Sequence, residues 1–335
     1  RWADGSWNQL GSDIDGEIAG DRSGYSVSLS ADGSTVAIGA HRNDGNGTDS
    51  GHVRIYRWTD GSWNQLGTDI DGETAGDESG YSVSLSADGS TVAIDALKND
   101  GTGTNSGHVR IYRWADGSWN QLGTDIDGEA AGDQSGWSTH LSADGSTVAI
   151  GAFYNDGNGD NSGHVRIYRW GDGSWNQLGT DIDGEAAGDH SGGSTQLSAD
   201  GSTVAIGAPY NDGNGAENGH VRIYRWADGS WNQLGTDIDG EAGRDRSGRN
   251  VSLSADGSTV AVGARLNDEN GYASGHVRIY RWADGSWNQL GTDIDGEAAG
   301  DHSSTGVSVS ADGTTVAIGA RFNDGNGDNS GHVRI

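Results

Sequence analysis

The chain has no cysteine and no methionine, a single proline (Pro209) and a single lysine (Lys98) in 335 residues. Without cysteine, neither a disulfide framework nor a thiolate metal site can form. No apolar run approaches the roughly 20 residues of a bilayer-spanning helix, so the sequence predicts no membrane insertion. The missing initiator methionine points to a processed or excised segment, with any signal peptide or anchor outside it. Basic side chains are scarce as well: 20 Lys and Arg stand against 49 Asp and Glu, a formal net charge of −29. Such a field repels phosphate backbones, which excludes nucleic acid as a partner. An acidic, lysine-poor surface needs cations to screen its self-repulsion, and this predicts a saline, extracellular or cell-surface setting.

What is present is repetition. The string RW-x-DGSWNQLG begins at residues 1, 57, 113, 169, 225 and 281, so six copies of 56 residues fill 1–335 as a single domain, the last copy one residue short. Hydrophobic residues make up only 32% of the chain. Each copy nevertheless brings two Trp and a fixed set of Val, Ile and Leu, enough to bury a core if copies stack.

Within one copy, two Asp-Gly dipeptides each sit between β-rich alternating runs, the strongest short hairpin signal. In the third copy and its flanks they predict four strands: A at 136–142, B at 146–152, C at 164–170 and D at about 175–182. Strands A and B carry small and β-branched residues, whereas C and D carry Tyr168, Trp170 and Trp175. Small residues fit a crowded axis and large ones a wide rim, so the pattern predicts an all-β, six-bladed β-propeller of four antiparallel strands per blade. A parallel β-helix competes, but its coils are shorter and lack two tight hairpins each. Because the last copy stops inside strand C, the N-terminal D strand is expected to complete the last blade. A seventh repeat outside the segment is the alternative.

Several motifs resemble a known family. Gly-aromatic at the start of strand A (Gly24–Tyr25, Gly80–Tyr81, Gly136–Trp137), the VAIGA-type strand B and Gly207–Ala208–Pro209 after it are similar to the FG-GAP repeat, the propeller unit of integrin α-chain heads and of bacterial and algal surface proteins. The resemblance covers all six copies. It implies a cell-surface or secreted adhesion or ligand-binding module, not an enzyme, with no required cofactor. Integrin-type repeats carry calcium in a long A–B loop, whereas here that connection is only SADG, so that site does not carry over.

Other motifs carry possible chemistry. NDGNGDN in the third and sixth copies places Asp156, Asn158, Asp160 and Asp324, Asn326, Asp328 at a D-x-N-x-D spacing that can wrap oxygens around Ca²⁺. A Gly/Asn-rich turn accounts for the same residues. The run DIDGE followed by GD (Asp181, Asp183, Glu185 and Asp189 in the third copy) reads as turn formation and main-chain capping before metal binding. Histidine opens every strand C (His52, His108, His164, His220, His276, His332), and six residues in separate blades are too far apart to share one ion. Packing beside the neighbouring strand is the expectation for them. SADGST resembles the Asp-box turn of sialidases, in which the Asp braces a hairpin. No arginine cluster, Tyr nucleophile and acid of the sialidase kind stand out beside it. Two sequons, Asn46–Gly47–Thr48 and Asn250–Val251–Ser252, are short matches to the N-glycosylation signal.

Differences among the copies are more informative. SADG and DGSWNQLG are the same in all six, so the A–B and C–D hairpin end of the blades is uniform. Variation gathers in the D–A and B–C connections at the opposite end. There stand Arg22, Tyr25, His41, Arg42, Tyr81, Lys98, Trp137, Phe153, Tyr154, His190, Tyr210, Arg246, Arg249, Arg265, His302, Arg321 and Phe322. These residue types are enriched in binding patches, whereas loops drifting freely should favour small polar residues. The variable end is therefore the expected face for a glycan or protein ligand, in a domain that is itself monomeric. A structural repeat without a specific ligand, and more remotely a glycan hydrolase, are the other readings.

Overall fold

Asp-Gly turns organise each repeat. Asp60, Asp116, Asp172, Asp228 and Asp284 take φ of 53–54° and the glycines after them 79–81°. Two successive positive φ values give the primed turn that matches the twist of a β-hairpin. The computed structural model describes residues 1–3 and 5–335, the side chain of Trp2 excepted. It is all-β, a six-bladed β-propeller, and the Cα trace falls into two compact units, 1–145 with 172–174 and 146–171 with 175–335. The second repeat shows the pattern in the first unit. Strand A, Val83–Leu85, pairs with B, Thr91–Ala96; B pairs with C, His108–Ala115; and C pairs with D, Ser118–Gln121, all antiparallel. The fourth repeat repeats this order in the second unit.

Strand D is shorter than its sequence pattern predicts. In the third repeat it runs Ser174–Gln177, and the chain rejoins strand C only at Ile182–Asp183. Gly179, at φ +82°, bends the backbone between the two pieces, and a Cβ there would lie 2.9 Å from the Trp226 ring. The bend is what returns the acidic run to the start of strand C, where His164 pairs with Asp183.

The apolar core lies between successive repeats. Val53, Ile55 and Ile70 of the first repeat pack with Val83, Leu85, Val92 and Ile94 of the second. Val221, Ile223 and Ile238 pack with Val251, Leu253, Val260 and Val262 in the same way. Each such side chain contributes about 1.5–3 kcal/mol on burial. Strand B of the second repeat is buried along its whole length, whereas the cross-strand pair Trp114–Trp119, with ring centroids 5.4 Å apart, is only partly covered. Small residues inside and aromatic ones outside are thus as the sequence predicts.

The expected completion of the last blade by the N-terminal strand is not among the pairings. Among the described residues, Trp2–Ala3 pairs with Ser6–Trp7 alone, and His332–Arg334 with Val316–Ala320 alone. Reciprocal bonds between Arg1 and Asn8 close the first hairpin on itself. Val27 and Leu29 of the first repeat's strand A are 57% and 56% exposed, where Val83 and Leu85 of the second are 7% and 8%.

Candidate functional site

The D–A and B–C connections are laced together by side-chain bonds. Asp189 is buried and accepts from the N–H groups of Glu185 and Ala186 and from Asn211 Nδ2, at 2.9–3.1 Å. Asp77 holds Thr74 and Asn99 in the same manner. The last aspartate of the acidic run is therefore a main-chain brace, as the turn reading expects. In the NDGNGDN loop, Asp156 accepts from the Asn161 N–H at 2.7 Å and Asn158 donates to the carbonyls of Gly184 and Glu185. Asp160 offers its main-chain carbonyl to Gly188, and Asp324 caps Asn329. Asn326 donates its main-chain N–H to Ser330, and Asp328 is exposed beside it. These are the bonds of a closed turn. At the opposite hairpins, Asp32 accepts from the Ser34 N–H and from the Ser34 and Ser30 hydroxyls, which hold its carboxyl down at about 2. That is the bracing role of an Asp-box turn.

The variable residue before Ser-Gly, or before Ser303–Ser304 in the sixth copy, has a positive φ in every copy: 55° at Arg22, 53° at Glu78, 49° at Gln134, 53° at His190, 54° at Arg246 and 50° at His302. This left-handed backbone is fixed by main-chain bonds such as Arg246 N–H to Glu217 O and His190 N–H to Asn161 O. Glycine would adopt it without strain. Retaining large side chains there costs on the order of 1 kcal/mol each, an observation that argues for use rather than drift.

In the first unit the variable residues form an aromatic cluster. Tyr25 lies 4.3 Å from His41 and 4.8 Å from Tyr81 between ring centroids, and Trp137 is 5.6 Å from Tyr81. His41 is buried, and that desolvation lowers its pKa. Lys98 pairs with Glu78 at 2.9 Å, so the lone lysine is neutralised. Arg22 is exposed and Arg42 is half-buried.

The second unit gathers the cations. Phe153 is buried and stacks on His190 at 4.3 Å, with Tyr154 and Tyr210 beside the imidazole at 5.2 and 5.0 Å. Arg246 lies over the Tyr210 ring at 4.4 Å and Arg249 over Phe153 at 5.9 Å. Arg321 covers Phe322 at 4.4 Å, with His302 at the ring's edge. Arg265 is half-buried among Arg249, Arg246 and Arg321, and desolvation followed by those like charges lowers its pKa. Arg246 is paired with Glu217 at 2.6 Å. Among the described residues, neither Arg265 nor Arg321 has a carboxylate within ion-pair distance.

Sequence reasoning missed a second constellation. The histidine opening strand C is buried in the first five repeats and partly covered at His332, but it does not merely pack. In the first repeat His52 Nδ1 stands 3.8 Å from Glu17 and 3.7 Å from Asp69. The same Glu–His–Asp group recurs at Glu73, His108 and Asp125, at Glu185, His220 and Asp237, and at Glu241, His276 and Asp293. His164 keeps its Asp181 at 3.8 Å and His332 its Glu297 at 3.5 Å. Desolvation, followed by the adjacent arginine, holds His108 and His220 down at about 4, so these imidazoles are neutral at pH 7. Partial desolvation also raises Glu73, Glu185 and Glu241 against the pull of Arg110, Arg222 and Arg278. The signal was in the sequence, since DIDGE and the histidine keep one spacing throughout, but Glu and His belong to different blades.

No helix of the described residues is long and apolar enough to cross a membrane. Residues 14–56 match the FG-GAP repeat family model, and the other copies repeat the same pattern. No curated protein sequence matches the chain. Among solved structures it is similar to a candidate 6-phosphogluconolactonase from Bacteroides uniformis ATCC 8492, at 15% identity and a TM-score of 0.60 over 90% of this chain and 79% of the other. It is also similar to hydrazine synthase of Kuenenia stuttgartiensis (16%, TM-score 0.59, 94% and 78% covered). The periplasmic gluconolactonase of Pseudomonas aeruginosa follows (19%, TM-score 0.51, 89% and 78% covered). At these identities the likeness is one of fold. It corrects the expectation that the chain is no enzyme: proteins described as lactonases are built on this fold, so a lack of catalysis does not follow from the architecture.

Proposed function

We propose, from the premise that this chain is an FG-GAP repeat β-propeller, that it is a binding module holding an acidic glycan at the D–A and B–C loops of its third to sixth repeats, at a cell surface or outside the cell. The carrying observation is that Arg265 and Arg321, in a chain of net charge −29, have no carboxylate partner among the described residues while two further arginines crowd beside them. Guanidinium forks bind carboxylate or sulfate groups bidentately. Beside them, Tyr210 and the Phe153–His190 stack supply aromatic surface for the faces of sugar rings. The left-handed backbone at His190, Arg246 and His302 supports the same reading, because it is retained at a cost. An acidic protein segment would meet the same cations, and a purely structural repeat would need none of them.

The test is a glycan and cell-surface panel probed with the wild-type chain and with the triple variant Arg265→Ser, Arg321→Ser, Tyr210→Ser. Binding to acidic glycans that disappears in a variant of unchanged circular dichroism supports the proposal. Equal behaviour of the two chains on every probe refutes it.

A further inference from the structure

The fifth repeat departs from the others in one place that bears on the Glu–His–Asp group. Where the other copies read NDG at the start of the B–C loop, it reads Asn267–Asp268–Glu269. The glycine there leaves little room: a Cβ on Gly45, Gly101, Gly157, Gly213 or Gly325 would lie 2.8–3.0 Å from the Asn side-chain oxygen two residues before it. The fifth repeat nevertheless carries a full side chain, and its carboxylate comes within 4.8 Å of the histidine. Ligand atoms of Glu241, Glu269, His276 and Asp293 all lie within 4.8 Å of one another.

His276 supplies the independent observation. Its side chain is 0% exposed, and Nδ1 has no hydrogen-bond partner although it faces two carboxylates, Glu241 at 3.8 Å and Asp293 at 3.6 Å. Those separations are too long for hydrogen bonds. They are close to the spacing of two ligands on one tetrahedral ion, about 3.4 Å for bonds of about 2.1 Å. The other Glu241 oxygen is taken up by Arg278 Nη1 at 3.6 Å, which leaves Oε2 turned toward the imidazole. The Oδ1 of Asp293 accepts from Gln289 Nε2 at 2.6 Å, which leaves Oδ2 facing the imidazole. The histidine and Asp293 are covered, and both glutamates are exposed, giving an ion a route in from solvent.

The geometry points to a divalent transition-metal site in the fifth repeat, formed by Glu241, Glu269, His276 and Asp293, with Zn²⁺ as the ion that suits one imidazole and three carboxylates in a four-ligand set. The three-ligand groups of the other repeats lack the Glu269 arm and hold such an ion more weakly. The site is separate from the arginine cluster and from the NDGNGDN turns.

Calorimetric titration of Zn²⁺ into the chelator-treated, dialysed chain tests it. The expected result is one tight site per chain. Glu269→Gly installs the residue of the other five repeats, so folding is preserved, and it should weaken the tight site by about 10- to 100-fold, the scale on which metal sites respond to loss of a supporting group. Asp293→Asn should weaken it on the same scale. No tight site in the wild-type chain, or an unchanged isotherm in Glu269→Gly, overturns the assignment.

Discussion

The indole N–H of Trp119 donates to the carbonyl of Leu66 in the preceding repeat, at 2.8 Å. Trp63 with Leu10, Trp231 with Leu178 and Trp287 with Leu234 form the same bond. A second pin runs beside it, from Arg110 Nη2 to the carbonyl of Asp71. Each DGSWNQLG string therefore contains both a donor, the Trp, and an acceptor, the Leu, and these four pairs of adjacent copies are joined by the same bond.

Trp119→Phe should cost about 1–2 kcal/mol, the range for losing a hydrogen bond and leaving its acceptor without a partner. Urea denaturation measures it. A change below about 0.3 kcal/mol would mean that the indole bond adds nothing to the ring's packing.

Asp95 occupies the place of the glycine in VAIGA and is fully buried, accepting from the Ser82 N–H at 2.7 Å. Desolvation raises its pKa well above the ordinary 3.8. The folded chain therefore keeps a proton that the unfolded chain releases above about pH 3.8, and stability falls as pH rises from there toward the folded value. Asp95→Asn keeps an acceptor for Ser82 and removes the titration. Its melting temperature should exceed wild type at pH 8 and converge with it near pH 4. A difference independent of pH would contradict this account.

Gly207 faces the next repeat so closely that a Cβ would lie 1.9 Å from the Gly248 carbonyl oxygen. Gly207→Ala must push two backbones apart, and overpacking of this kind costs about 1–3 kcal/mol. The urea midpoint should drop with the slope unchanged. Wild-type stability would show that the fourth and fifth repeats approach less closely.

Loss of charge at Arg265 or Arg321 should weaken acidic-glycan binding most at low ionic strength, because salt screens what those guanidinium groups supply. Affinity measured from 20 to 500 mM salt should fall steeply for wild type and only gently for Arg265→Ser with Arg321→Ser. Parallel slopes would remove the arginines from the interface.

Much of this molecule could be read from single repeats. Asp-Gly turns, period-2 alternation and the Trp and Ile sets act over a few residues, so strands A to C and the identity of the core are local properties. The Ser-Ala-Asp-Gly brace is local as well, which is why Asp32 behaves as an Asp-box turn. Comparing copies also separated a uniform hairpin end from a variable one, and the variable end is where Arg246, Arg249, Arg265 and Arg321 gather. The left-handed backbone under Arg246 and His190 could not be read in this way, since it is imposed by carbonyls of another loop.

The sequence by itself determined the repeat, its four strands and the loops that vary, because hairpin chemistry and alternation are short-range. Only the tertiary structure decided what faces what across repeats. Glu241 reaches His276 because one blade packs on the next, and Glu269 joins them because the B–C loop turns back over strand C. Gly179 shortens strand D by meeting Trp226 of the following repeat. Glu241 lies 35 residues before His276 and Gly179 lies 47 before Trp226, so these contacts form only when blades pack and no local pattern within one blade reports them.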